Sequence, residues 1–111
     1  MRATVEQERA VSEKYLKRIR KASLAHDLSY DDEDNLMFFA LSLGGGRVLN
    51  FRSCVKIEND IDSVESAELS TTGMRYRLSL SSNDLAVIAL KNALIARAQE
   101  LWLAWKNGAG V

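Results

Sequence analysis

The sequence predicts a two-layer α+β fold: an N-terminal helix, a four-stranded antiparallel meander sheet and a C-terminal helix, with both helices on one sheet face. Three observations predict it. Apolar residues recur at helical spacing at both ends of the chain, alternating strand patterns fill the middle, and the strand connections are too short for parallel crossovers. The 111 residues suit one continuous core, because two domains would each be too small to bury enough apolar surface. The expected unit is a single α+β domain over residues 1–111.

From Val5 to His26, Val11, Tyr15, Ile19 and Ala22 recur at helical spacing and Leu16 widens the stripe. Glu6, Glu8 and Glu13 come early and the cations late, the order that complements the helix dipole. Asp27 to Asn35 carries four consecutive acids and reads as an exposed loop. Leu36 to Leu43 has the length and apolar density of a buried strand, and Gly44 to Gly46 ends it in a hairpin turn.

Arg47 to Ile57 alternates, with Leu49, Phe51, Ser53, Val55 and Ile57 on one face and Val48, Asn50, Arg52, Cys54 and Lys56 on the other. Glu58 to Ser63 has turn chemistry. The third strand, Val64 to Thr71, contains Glu65, Ala67 and Glu68, poor strand formers that suggest a sheet edge. After a tight turn at Thr72 and Gly73, Met74, Tyr76, Leu78 and Leu80 alternate with Arg75, Arg77, Ser79 and Ser81. Ser82, Asn83 and Asp84 offer N-caps for a helix from Leu85, and Gly108 with Gly110 closes its far end.

Fifteen basic and fifteen acidic residues cancel, so no global field pulls the chain toward nucleic acid or an anionic membrane. The single Cys54 forms no internal disulfide, and Met1 to Thr4 lead into charged residues without an apolar leader region, so a reducing, cytoplasmic setting is expected. Leu85 to Trp105 is long enough to span a bilayer, but Lys91, Arg97 and Glu100 are costly in lipid, and the segment reads as a buried helix. No membrane partner is expected.

No catalytic residue, metal ligand set or cofactor motif emerges. His26 and Cys54 are the only candidates for an imidazole and thiolate pair, and the C-terminal dipole of the first helix explains His26 more simply, as packing on a strand explains Cys54. Asp31 to Asp34 lacks the alternating ligand spacing and central glycine of a calcium loop. Gly44 to Gly46 lacks the Lys followed by Ser or Thr of a phosphate loop. The sequence therefore predicts a protein that is not an enzyme.

The strongest signal lies in the last helix, whose apolar residues occupy three neighbouring stripes where a surface helix needs one. Leu94, Ala98, Leu101, Trp102 and Trp105 are the expected partner-binding residues, tryptophan being a favoured interface anchor. The expectation is a small non-enzymatic protein-interaction module, an adaptor, inhibitor or regulatory subunit. Its partner would be another protein, as in a larger complex, or a second copy, since symmetric dimers are the commonest soluble assemblies. The alternative is a nucleic-acid-binding protein using the helix stripe Lys14, Lys17, Arg18 and Lys21, or a sheet face bearing Arg52, Lys56, Arg75 and Arg77. Against the sheet face stands the expected absence of an exposed aromatic ring on it, and Glu65 and Glu68 are available to neutralise its cations.

Overall fold

The computed structural model describes residues 1–56 and 60–108. Within them the chain runs α1 (Val5–Ile19), β1 (Ser29–Asp31), β2 (Leu36–Gly44), β3 (Arg47–Cys54), β4 (Ser66–Thr71), β5 (Met74–Leu78) and α2 (Leu85–Lys106). The strands form one sheet in sequential order with antiparallel pairing throughout. This is the expected meander with one strand more.

The added strand comes from the segment read as a loop. Ser29 to Asp31 pairs with Leu36 to Phe38, and the Asp31 carboxylate closes the turn by accepting from the backbone N–H of Glu33 and Asp34 at 3.0 and 3.3 Å. Three residues are too few to display a period of two. The acidic run that looked merely solvated is thus the turn of a short hairpin.

Helix α1 stops at Ile19 instead of continuing to His26. Beyond it the backbone pairs with the outer edge of β2, Ala25 N–H donating to the Ala40 carbonyl and Ser42 N–H to the Ser23 carbonyl at 2.7 and 2.9 Å. Sheet hydrogen bonding has overridden a helical pattern that Ala22 still satisfies by being buried. At the helix start, Thr4 and Gln7 form the reciprocal side-chain and backbone bonds of a capping box.

Strand β4 is internal, paired to β3 and β5, and is not the predicted edge. Its inward Ala67 and Leu69 are buried and its acids lie outside that row, so flanking strands compensate for weak intrinsic propensity. The outer edge of β5 is covered as well, because Met1 to Ala3 pair with it through Ala3 N–H to Arg77 O and Arg77 N–H to Met1 O. Ile57, Glu58, Asn59 and Gly110, assigned above to a strand, a turn and a helix end, lie outside the described residues.

Gly45 and Gly46 link β2 to β3 with φ of +61° and +74°, the two positive values that a tight two-residue hairpin requires. From that turn the strands alternate. Met37, Phe39, Leu41 and Leu43 face inward with Leu49, Phe51, Leu69 and Leu78, and they form one core with Tyr15 and Ile19 of α1 and Val87, Leu90, Leu94 and Ala98 of α2. Ser53 is also fully buried there, and its hydroxyl has no hydrogen-bond partner among the described residues.

Candidate functional site

Three surfaces or clusters hold the polar and aromatic groups that the core does not use. The first is the junction between β5 and α2. Glu8, buried in α1, accepts from the Ser79 N–H and hydroxyl at 3.2 and 3.1 Å and from the Leu80 N–H at 3.1 Å. Those bonds hold Leu80 in the left-handed region at φ 54°, a conformation costly for a side chain with a Cβ. One turn further, Ser12 Oγ donates to the Ala86 carbonyl at 2.6 Å. Between them Arg9 reaches the Asp84 carboxylate at 2.7 and 2.9 Å.

Asp84, one of the three N-cap candidates of the sequence, is the N-cap of α2 and accepts from the N–H groups of Ala86 and Val87. The Arg9 hydrogen bond, helped by those two backbone donors, holds its carboxyl below the usual carboxylate range, and the same pairing raises the Arg9 guanidinium. This junction is structural chemistry. Glu8 was legible in the sequence only as an early-helix acid, because its partners are more than seventy residues away.

The second surface is the end of α2. Of the five residues expected to bind a partner, Leu94, Ala98, Leu101 and Trp102 are core residues, and only Trp105 is open, at 41% exposure. The outward side of the helix instead carries Leu85, Ile88 and Leu103. Trp102 lies between two other rings, 5.4 Å from Trp105 and 5.7 Å from Tyr30 between centroids. Tyr30 is 37% exposed and its hydroxyl donates to Asn35 Oδ1 at 2.9 Å. The sequence offered no signal for Tyr30, since it sits on the strand that was read as a loop.

The third surface is the open sheet face. Register places Leu36, Phe38, Ala40 and Ser42 of β2 on it beside Arg52, Asn50 and Val48 of β3, and Ser66, Glu68 and Ser70 of β4 beside Arg77 and Arg75 of β5. Phe38 is 39% exposed, so this face does carry an aromatic ring, contrary to expectation. An apolar run is not the same as a strand buried on both sides. A groove of about 410 Å³ crosses the face, lined by His26, Phe38, Ala40, Asn50, Arg52 and Glu68 among others.

The expected cations separate into used and unused groups. Arg18 donates to the Leu43 carbonyl at 2.6 Å and so tethers α1 to β2. Lys14 lies 5.3 Å from the Tyr15 ring centre, while Lys17 and Lys21 are exposed. Lys56 is drawn to Asp62 at 2.5 Å, a pairing that raises its ammonium. Among the described residues, Arg52, Arg75 and Arg77 form no ion pair. Among the described residues, neither Glu65 nor Glu68 forms an ion pair with them.

His26 lies beyond the end of α1, in the connection before β1, too far from the helix end for the expected interaction with its dipole. Cys54 is half-buried at the end of β3, and no hydrogen bond joins it to His26 among the described residues. No three His, Cys, Asp or Glu side chains converge as a metal site among the described residues. No helix among those residues is long and apolar enough to cross a membrane. No protein-family model, curated protein or solved structure matches the chain.

Proposed function

We propose that this chain is a small, non-enzymatic, cytoplasmic protein-interaction module, an adaptor, inhibitor or regulatory subunit, that docks a protein partner on the aromatic cluster at the end of α2. A second copy of the chain is the default occupant. The observation that carries this reading is the Tyr30, Trp102 and Trp105 cluster, in which a buried central ring stacks on Trp105 and meets Tyr30 at a tilt, leaving those two partly open. Tyrosine and tryptophan are the preferred anchors of interfaces. Rings already held in mutual contact lose little conformational freedom on binding.

Sedimentation velocity at micromolar concentration tests the self-association form. The expected result is a dimer-sized boundary that reverts to monomer on Trp105→Ala, with the circular dichroism of the fold retained. A monomer at every concentration, together with Trp105→Ala leaving capture of partner proteins unchanged, contradicts the reading.

A further inference from the structure

The open sheet face lies outside the reading above and makes a separate demand. The register arranges its cations in rows. Ala40, Asn50, Glu68 and Arg77 follow one another across β2 to β5, and Arg2 continues the row because it is the bridge partner of Arg77. Partners in a bridge project to the same side, so two guanidinium groups stand next to each other on this face, a cross-strand arrangement that costs stability. Arg75 stands two residues along β5 from Arg77, and Arg52 stands one row over beside Phe38.

Four arginines thus share the face with Glu68, and among the described residues none of them is ion-paired. Four arginines against the one carboxylate of Glu68 leave the face net positive, complementary to an anion of several charges. The position of Phe38 narrows the class of anion. Its ring is exposed at the groove, flanked by the small Ala40 and by Arg52, which provides a flat apolar platform beside a phosphate-binding group.

We propose that this sheet face binds single-stranded nucleic acid, with one base stacked on Phe38 and the backbone running across the strands past Arg52 toward Arg75, Arg77 and Arg2. Stacking on an aromatic ring with arginines along the backbone is the sequence-tolerant mode of single-strand recognition. Asn50 and Glu68, in the row next to Phe38, present an amide and a carboxylate to the polar edge of a stacked base, the edge that single-strand readers hydrogen-bond. Asp27 on the groove lining opposes phosphate at that end, so the strand's phosphates belong on the β5 side.

Fluorescence anisotropy of a labelled oligouridylate with the intact protein tests this, with the complementary duplex and polyglutamate as comparison probes. The expected result is binding of the single strand at low ionic strength, with a slope of log affinity against log salt of about −2 to −3, as three or four phosphate contacts require. Phe38→Leu, which keeps apolar bulk and removes the ring, should weaken binding about tenfold. The double variant Arg75→Ser and Arg77→Ser should flatten the slope by about 1.4. No binding at low salt overturns the proposal, and so does binding indifferent to Phe38→Leu. Polyglutamate bound as tightly as the oligonucleotide also overturns it, in favour of an acidic protein.

Discussion

The β5–α2 junction and the open sheet face are built from the same kinds of side chain and use them in opposite ways. At the junction the Glu8 carboxylate meets three donors, Asp84 meets two backbone N–H groups and Arg9, and Ser12 reaches a carbonyl. On the sheet face Arg2, Arg52, Arg75 and Arg77 meet no carboxylate among the described residues. Polar groups that the fold depends on are paired because an unpaired buried group is expensive. Groups left unpaired at the surface contribute little to folding and are available to a ligand.

The sharpest break of this comparison comes from Glu8→Ala, which leaves two backbone N–H groups and a hydroxyl without their acceptor. It should destabilise the protein by about 3 kcal/mol, read as a lower urea midpoint. Asp84→Asn should cost less, because its site is more open. Its effect depends on pH: the Asp84 carboxyl is held below its unfolded value, so its stabilisation is present above about pH 4 and is lost as pH falls through the folded value. Thermal melts of the two proteins should therefore converge in acid and separate near neutrality. Equal separation at all pH values would contradict the Arg9 contact.

Ser53→Ala sharpens the comparison from within the core. The hydroxyl there lacks a partner among the described residues, so its removal should be neutral or stabilising by up to about 1 kcal/mol. A loss larger than that would show that the hydroxyl is satisfied in solution. The smallest expected effect is on the sheet face, where Arg77→Ser should change stability by no more than about 0.5 kcal/mol.

The same contrast separates what the sequence revealed from what it hid. Alternation from Arg47 onward and from Met74 onward placed two strands and their faces, and Asp84 before an apolar helix announced its cap. Local pattern was enough because the governing contacts are local. Glu8 and Arg2 act on residues more than seventy positions away, so no window of sequence displays their roles. Ser29 to Asp31 is too short to show a period, and the helical spacing past Ile19 lost to hydrogen bonds along β2.

The partner site shows the same limit. Three apolar stripes on α2 signalled more apolar surface than one face needs, but not which stripe the sheet would cover. Leu94, Ala98, Leu101 and Trp102 went into the core, whereas Trp105 stayed open with Tyr30 nearby on a strand that pattern reading missed. Phe38 was hidden by its neighbours, since a run of apolar residues conceals the outward half of a strand.

The most direct test of the division between paired and unpaired groups is the urea unfolding free energy of one variant, Arg2, Arg52, Arg75 and Arg77 all replaced by Ser, measured beside the unaltered protein. If these arginines are surplus to folding, the variant is as stable as its parent to within about 1 kcal/mol, or more stable through relief of their repulsion. A loss of several kcal/mol would mean that the open face is part of the scaffold and that its charges serve the fold.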